Sequence, residues 1–216
     1  VIVERTKAHY RLTHSGLRGA LVPLLEASVT ATENIMMAAC RAGGETTIIN
    51  AACEPHVQDL AAFLRAMGAD IEGEGTSVIR VRGVSRLVGA RHTVIPDDIE
   101  AGTFIMMALA THGSVTVTDL RPETLVVPLE KLKSMGAQFD VKEDSITILQ
   151  SGVLKAAKIE TRLYPGIPTD LQPVFGLLAT QSSGTSLVHD TMFEGRLGYI
   201  QELIKMGANA VICDPH

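Results

Sequence analysis

The sequence predicts an α/β fold built from a repeated β-α-β-α-β-β unit. Three kinds of observation support this. The tripeptide Met-Gly-Ala occurs three times, with starts 68 and then 71 residues apart, at residues 67–69, 135–137 and 206–208. A glycine before a short apolar run precedes each copy, at Gly44, Gly113 and Gly184. Capping-box patterns lie further upstream, at Thr30/Glu33, Asp97/Glu100 and Thr169/Gln172. Recurrence in a fixed order indicates one supersecondary unit used three times.

The elements of the first copy follow from its residues. We expect Thr30 to cap a helix that stops at Gly43–Gly44, and the β-branched run Thr46–Ile49 to form a strand. Proline suits a first helical turn, so a second helix is expected from Pro55 to the stop at Gly68. Apolar residues of this helix recur at i, i+3, i+4 and i+7, at Val57, Leu60, Ala61 and Leu64. Helices striped on one side beside short strands predict an α/β layered domain.

The second and third copies repeat the pattern, with strands expected at Val115–Val117, Ile146–Leu149 and Ser186–Val188. The third copy alone opens with Gly166–Gln172, a proline-fixed turn that presents a carboxylate. Tyr10–Thr13 followed by Gly16–Ala20 resembles the closing strand and linker of the other copies, and Val211–Cys213 would come before a third closing hairpin, so the pattern predicts a piece of a longer protein. The alternative is a complete domain with irregular ends.

Composition limits the function. The formal net charge is −5, which argues against a nucleic-acid partner. The arginines between residues 80 and 91 are expected to lie on the solvated face of a hairpin, with a binding role as the alternative. No apolar run reaches the roughly 18 residues of a membrane span, and no signal peptide is visible. Three scattered cysteines favour a reducing cytoplasm, and the histidine spacing gives little support for a metal site.

Four segments resemble motifs of one family. Ser28–Met36 is similar to S-V-G-A-T-x-N-I-M, and Ile95–Thr103 is similar to I-P-D-R-I-E-A-G-T. Gly166–Gln172 is similar to G-[FI]-P-T-D-[ML]-Q, and Phe193–Arg196 is similar to F-E-N-R. In this order, they resemble the enolpyruvyl transferase family, in particular its members that act on UDP-N-acetylglucosamine.

The resemblance implies the family's inside-out α/β barrel fold. Residues 1–95 would finish a first domain and residues 96–216 would begin a second. It also implies transfer of the enolpyruvyl group from phosphoenolpyruvate to the 3′-hydroxyl of UDP-N-acetylglucosamine. That reaction is the first committed step of peptidoglycan synthesis and serves cell shape and division. No cofactor, metal, nucleic acid or membrane is implied.

Asp170 is the expected catalytic residue. An alcohol must lose its proton as it attacks phosphoenolpyruvate, and a nearby carboxylate can accept it. Pro168 fixes the entering backbone, Thr169 is expected to cap the helix, and Asp170 then lies in the first turn, where the helix dipole favours its ionised form. The alternative is a first-turn aspartate that only stabilises the helix.

The family's substrate-binding residues map onto two further segments. Ser28, Val29 and Thr30 lie at a helix start, where free N–H groups suit a diphosphate, or alternatively form only a cap. Met192, Phe193 and Arg196 match family residues beside the uracil and the cleft. The alternative for the Met-Phe pair is that it packs in the hydrophobic core. Thr169 is expected to bind substrate next to Asp170. The chain departs from the family pattern at four positions, Glu26, Thr30, Asp98 and Gly195.

Two other functions stay open at this point. One is an enzyme similar to RNA 3′-terminal phosphate cyclase, which the acidic balance disfavours. The other is a non-catalytic relative that binds UDP-sugars, which the four departures favour. The family's proton-donating loop and its phosphoenolpyruvate-clamping residues match nothing in this sequence, so the 216-residue chain by itself is expected to be nearly inactive.

Overall fold

A four-stranded mixed sheet organises the first of two units in the computed structural model, which describes residues 2–215 and divides between Ile95 and Pro96. The elements after an N-terminal hairpin are β3 (Leu21–Pro23), α1 (Val29–Ala39), β4 (Glu45–Ile49), α2 (Pro55–Ala66), β5 (Asp70–Glu72) and β6 (Val78–Arg82). The strand order is β3-β4-β6-β5, with β3 and β4 parallel and the other pairs antiparallel. The predicted β-α-β-α-β-β order is confirmed for this copy.

The N-terminal hairpin pairs β1 (Ile2–Arg5) antiparallel to β2 (Tyr10–Thr13). The core of the first unit lies between the sheet and the two helices, where Met36, Ile48 and Ile79 are fully buried. Burial of one such side chain stabilises a fold by about 1.5–3 kcal/mol. The predicted stripe of α2 is confirmed, since Val57, Ala61 and Leu64 are buried and Leu60 is partly buried against the same core.

The repeated Met-Gly-Ala tripeptide has a physical cause in the helix ends. Gly68, Gly136 and Gly207 have φ of 96°, 99° and 99°, a left-handed conformation that glycine adopts without a steric penalty. In each copy the alanine N–H donates to a leucine carbonyl five residues earlier, at 3.0 Å, and the glycine N–H donates to a carbonyl three residues earlier. This pair of bonds is the Schellman motif, which satisfies carbonyls at a helix end. The predicted helix stops are therefore confirmed.

The second unit carries the other two copies. Its elements are α3 (Asp98–Ala110), β7 (Val115–Thr118), α4 (Val126–Ser134), β8 (Phe139–Val141), β9 (Ser145–Ile148), β10 (Lys158–Glu160), α5 (Gln172–Thr180), β11 (Leu187–His189) and α6 (Tyr199–Lys205). Single 3₁₀ turns precede α4, α5 and α6. The strands form an antiparallel sheet of order β7-β9-β8 and a parallel pair, β10-β11. Phe175, Leu132 and Ile146 are fully buried in its core.

The predicted unit is complete only in the first copy. Within residues 2–215 no strand lies between β6 of the first unit and α3, and none follows α6. The segment before α3 bonds instead to helix ends of the first unit, since Val84 N–H donates to the Cys40 carbonyl and Val88 N–H to the Met67 carbonyl. Among the described residues, β7 lacks the parallel partner that β4 and β11 have.

One predicted helix cap is confirmed and another is wrong. Asp97 caps α3, because its carboxylate accepts from the N–H groups of Ile99 and Glu100 at 2.9 and 3.1 Å. The prediction that Thr30 caps the first helix is wrong. Ser28 is the cap and accepts from the Ala31 N–H at 3.3 Å, so α1 starts at Val29. Either hydroxyl suits a cap chemically, and the extended backbone of Ser28 decides between them.

The arginine-rich hairpin has its charges on the solvent side. Arg82 on β6 pairs with Glu45 on β4 and with Asp70 and Glu72 on β5, all of them exposed. Three carboxylates around one guanidinium fit the predicted solvated face. Among residues 2–215, none of the helices has both the length and the apolar character that a membrane crossing requires.

Candidate active site

The candidate site lies in the second unit, where the parallel strands β10 and β11 end. Thr161 directly follows β10 and Asp190 directly follows β11. The two strands remain in step past their ends, since the Thr161 N–H donates to the His189 carbonyl at 3.1 Å. Loops from the carboxyl ends of parallel strands meet at one edge of a sheet, which is where open α/β sheets bind ligands.

Asp170 lies in a 3₁₀ turn, Thr169–Leu171, that leads into α5. Pro168 is extended at this point (φ −67°, ψ 144°), and the chain then turns sharply, so the Asp170 side chain is 58% exposed. Its carboxylate forms an ion pair with the Arg196 guanidinium, which comes from the 3₁₀ turn before α6. The proline-fixed turn therefore presents an accessible carboxylate held by a cation 26 residues away.

The prediction that Thr169 caps the helix is wrong. Its hydroxyl donates instead to the Asp190 carboxylate at 2.5 Å, and no side chain caps α5. Thr169 is itself part of the 3₁₀ turn, and α5 begins three residues later, so the cap position of α5 falls on Leu171.

Arg196 links Asp170 to the segment that contains Met192 and Phe193. Its guanidinium carbon lies 5.3 Å from the centre of the Phe193 ring, within the range of a cation–π contact. Met192 and Phe193 are exposed rather than packed in the core, at 37% and 50%. The structure thus brings five predicted site residues of the second unit together: Thr169, Asp170, Met192, Phe193 and Arg196.

Asp190 is a site residue that the sequence reasoning missed. It is fully buried, and its carboxylate accepts from the Met192 and Phe193 N–H groups at 2.8 and 3.0 Å. The Thr161 and Thr169 hydroxyls donate to the same carboxylate. Burial alone would raise the pKa of Asp190, but these hydrogen bonds outweigh it and hold the pKa below its ordinary value. Asp190 is therefore a buried anion at neutral pH.

A signal for Asp190 was present in the repeat. Six residues after the glycine of each copy stands Asn50, Asp119 or Asp190. Asn50 and Asp119 have left-handed backbones, with φ of 60° and 55°, whereas Asp190 is absent from the residues with positive φ. The first two therefore serve as turn residues, which Asn and Asp tolerate well. The third copy uses the same position for a buried side chain.

Two further polar groups are buried beside this cluster. The Tyr199 hydroxyl and both polar atoms of the Gln172 side chain have no hydrogen-bond partner among the described residues. A Cβ added to Gly176 would lie 2.0 Å from the Tyr199 hydroxyl oxygen, so that oxygen packs against α5 one turn after Gln172. Burial and the charge of Asp190 raise the pKa of Tyr199 well above its ordinary value.

Replacing Tyr199 with phenylalanine should remove one source of alkaline instability. The unfolded tyrosine ionises near pH 10, whereas the folded one keeps its proton, so its stabilising contribution is present below about pH 10 and is lost above it. We expect the Phe variant to lose about 1 kcal/mol less stability per pH unit in that range. Urea unfolding at pH 9 and 11 measures this. Equal losses in the two proteins would contradict the assignment.

The predicted residues of the first unit lie at the start of α1. Ser28 and Val29 are half-buried and Thr30 is exposed. The Ser28 and Thr30 hydroxyls are 3.4 Å apart, and the Thr32 hydroxyl donates to the Ser28 carbonyl at 2.8 Å. Thr32 also accepts from the Ala52 N–H at 3.0 Å, which fixes this end of the helix to the chain after β4. The helix start is thus fixed by hydrogen bonds on the Thr32 side, and Thr30 is an exposed residue.

The described residues contain no group of three or more histidine, cysteine or carboxylate side chains placed to hold a metal ion. A separate groove of about 550 Å³ lies between α4 and β8, with Val126, Leu129 and Phe139 in its lining. It contains none of the predicted site residues. The chemistry available at the candidate site is therefore that of an exposed carboxylate, a paired guanidinium and aromatic surface.

Comparison with known proteins supplies the family. The family described as EPSP synthase (3-phosphoshikimate 1-carboxyvinyltransferase) matches residues 2–214. The chain belongs to this family of enolpyruvyl transferases. The family match and the α/β architecture confirm the resemblance and the fold class inferred from the motifs.

Two curated relatives are similar over most of the chain. A UDP-N-acetylglucosamine 1-carboxyvinyltransferase of Acidobacterium capsulatum is 48% identical over 194 residues, which is 89% of this chain and 44% of the relative. A UDP-N-acetylglucosamine 1-carboxyvinyltransferase 2 of Geobacillus kaustophilus is 47% identical over 196 residues, which is 91% of this chain and 46% of the relative. The chain thus spans a little under half the length of these relatives.

Solved structures agree on the fold. The enolpyruvyl transferase NikO from Streptomyces tendae matches with a TM-score of 0.88 and 23% identity, covering 99% of this chain and 54% of that one. An EPSP synthase from Acinetobacter baumannii matches with a TM-score of 0.61 and 23% identity, covering 88% of this chain and 45% of that one. At this identity the likeness shows a shared fold and nothing finer.

Proposed function

We propose that the complete protein containing this chain transfers the enolpyruvyl group of phosphoenolpyruvate to the 3′-hydroxyl of UDP-N-acetylglucosamine. The observation that carries the proposal is the 47–48% identity to relatives of that named activity over about nine tenths of the chain. The reaction replaces the bond from C2 to the phosphate oxygen with a bond from C2 to the sugar oxygen, and inorganic phosphate leaves.

Asp170 is the proposed general base. Its exposed carboxylate accepts the proton of the sugar hydroxyl as the oxygen attacks C2, a contribution of roughly 10²–10⁴-fold in rate. The Arg196 guanidinium orients that carboxylate in the absence of substrate. Because the two side chains are held by separate turns, the pair can open when the sugar hydroxyl approaches Asp170.

The other proposed substrate-binding residues belong to two segments, one in each unit. Met192 and Phe193 offer exposed apolar surface for the uracil ring, with Arg196 beside them. Ser28, Val29 and Thr30 offer the N–H groups and hydroxyls of a helix start to the diphosphate. The Thr169 hydroxyl is engaged by Asp190, so in this proposal Thr169 acts on substrate through the placement of the neighbouring Asp170.

The domain assignment is part of the same proposal. Residues 1–95 would complete the first domain of the transferase and residues 96–216 would begin the second. The division of the structure between Ile95 and Pro96 supports this assignment. The proposed setting is the cytoplasm, at the first committed step of peptidoglycan synthesis, where the product serves cell shape and division. No cofactor enters the proposed reaction.

Phosphate release tests the proposal. With both substrates present, the complete protein should release phosphate in an amount that depends on UDP-N-acetylglucosamine, and the 216-residue chain should release almost none. The chain offers a base for the acceptor, whereas no segment of it matches the family's proton-donating loop or phosphate-clamping residues. Omission of either substrate is the control. Phosphate release by the 216-residue chain alone would contradict this prediction.

A second function is favoured by the four departures from the family pattern. Glu26, Thr30, Asp98 and Gly195 replace residues that the family motifs carry at those places. A non-catalytic protein that binds the nucleotide sugar would keep the contacts of α1 and the Met192–Phe193 segment without turnover. Thermal-shift titration with UDP-N-acetylglucosamine distinguishes the two: binding without phosphate release from the complete protein would favour the second function.

A further inference from the structure

Asp190 occupies an unusual place among the side chains of the candidate site. It is fully buried, yet its carboxylate is ionised because four donors surround it. One oxygen accepts from the Thr161 hydroxyl and from the Met192 and Phe193 N–H groups, and the other accepts from the Thr169 hydroxyl. A buried charge persists only when it is paired or fully hydrogen-bonded, and this one meets the second condition.

These donors come from two loops with different tasks in the proposed reaction. Thr169 begins the turn that presents Asp170, and Met192 and Phe193 form the segment proposed to contact uracil. The buried Asp190 is hydrogen-bonded to both loops in the interior, while the ion pair of Arg196 with Asp170 joins them at the surface. The buried carboxylate is therefore one of the links that set the distance from the base to the Met192–Phe193 segment, together with the Arg196–Asp170 pair and the bonds between Thr191 and Thr161.

The repeat shows that this arrangement is special to the third copy. Asn50 uses its side-chain amide to donate to the Leu24 carbonyl at 3.1 Å, and Asp119 is exposed. Both have left-handed backbones that turn the chain after the strand. Only Asp190, at the same place in its copy, carries a buried side chain that collects donors from neighbouring loops. The bonds from the Met192 and Phe193 N–H groups are local turn contacts, whereas the bonds from Thr161 and Thr169 come from another loop, so a turn requirement alone does not explain the buried acidic residue.

We propose that Asp190 is a positioning residue for the enolpyruvyl transfer, which holds the Asp170 turn and the Met192–Phe193 segment at a fixed separation. The inference rests on the proposed function. Asp190 does not touch substrate in this proposal; it acts through the Thr169 hydroxyl and the two backbone N–H groups. Misplacement of a catalytic group by about 1 Å can cost roughly 10²-fold in rate, which sets the scale of the expected effect.

The test compares Asp190→Asn with Asp119→Asn. Both replace a carboxylate with an amide at the same position of the repeat, but Asp119 is exposed and lies outside the site. In the complete protein we expect Asp190→Asn to lower kcat by about 10–100-fold, with a change in KM for UDP-N-acetylglucosamine of less than about fivefold. Asp119→Asn should leave both constants unchanged. Equal kinetics in the two variants would overturn the proposal.

Amide hydrogen exchange on the 216-residue chain gives an independent measurement. The Met192, Phe193 and Leu171 amides report on the two loops, and those of α3 serve as the internal control. In Asp190→Asn we expect the three loop amides to exchange about tenfold faster and the α3 amides to be unchanged, because a charged acceptor has been lost. Faster exchange throughout the unit, with unchanged kcat per folded molecule, would indicate a structural role only and overturn the proposal.

A milder variant keeps the test decisive if Asp190→Asn fails to fold. Thr169→Val removes one hydroxyl and leaves the Met192 and Phe193 bonds to Asp190 in place. It should lower kcat in the same direction by a smaller factor and speed exchange at Leu171 alone; no change in either would overturn the proposal. Absence of turnover in the unmodified complete protein would instead count against the proposed function, while the exchange measurement would still decide whether Asp190 holds the loops.

Discussion

Asp170→Asn in the complete protein should lower kcat by about 10²–10⁴-fold while the affinity for UDP-N-acetylglucosamine changes little. The amide has nearly the shape of the carboxylate but cannot accept the proton of the sugar hydroxyl. It also gives up the ion pair with Arg196, an exposed contact worth about 1 kcal/mol or less. Steady-state phosphate release measures kcat, and thermal-shift titration measures binding of the nucleotide sugar.

Asp140→Asn is the matched control for this prediction. Asp140 is an exposed aspartate on β8, outside the candidate site, and its replacement should leave turnover unchanged. A fall of less than about threefold in Asp170→Asn would show that another group takes the proton. A parallel loss of binding and turnover would show instead that Asp170 holds the substrate without acting as its base.

Phe175→Ala should destabilise the second unit by about 3–5 kcal/mol. Phe175 lies on α5, is fully buried and packs in the core formed by α3, α4, α5 and the strands. Removing the ring loses its transfer free energy and leaves a cavity that rigid neighbours fill only in part. A loss of this size is comparable with the total stability of many domains, so loss of folding of this unit is also within the prediction.

Urea unfolding of the 216-residue chain measures the loss, and hydrogen exchange assigns it to the second unit. Phe104→Ala is the control, because Phe104 lies on α3 of the same unit but is 43% exposed. We expect it to cost about 1 kcal/mol or less, as surface substitutions usually do. Similar losses in the two variants would contradict the core assigned to α5.

The sequence predicted best what local interactions determine. Met-Gly-Ala marks helix ends because the left-handed glycine and the bonds of its neighbours lie within six residues of one another. The stripe of α2 was likewise predictable from its periodicity. The β-branched run Thr46–Ile49, predicted to be a strand, lies within β4. Asp97 was recognisable as a cap for the same reason, since its partners are two and three residues away.

The features that sequence reasoning missed depend on residues far apart in the chain. Thr169 was assigned to a cap from its local pattern, but its hydroxyl donates to the buried Asp190, 21 residues later. Asp190 itself was overlooked because its burial exists only once β10 and β11 pair. The contact of Arg196 with Asp170 likewise needs two turns brought together by that pairing. The family motifs identified Thr169, Asp170 and Arg196 as site residues, but they did not show which side chains these residues contact.

The unequal sheets of the two units have a practical consequence for handling the 216-residue chain. In the first unit β4 is flanked by β3 and β6, whereas in the described part of the second unit its counterpart β11 pairs with β10 alone. Among the described residues β11 is thus an edge strand, and Leu187 on it is 59% exposed. Such an edge is a template for intermolecular strand pairing. Leu21 on β3 and Val115 on β7 are also exposed on edge strands, so self-association at high protein concentration can begin at any of these edges, and a charged substitution at Leu187 protects one of them.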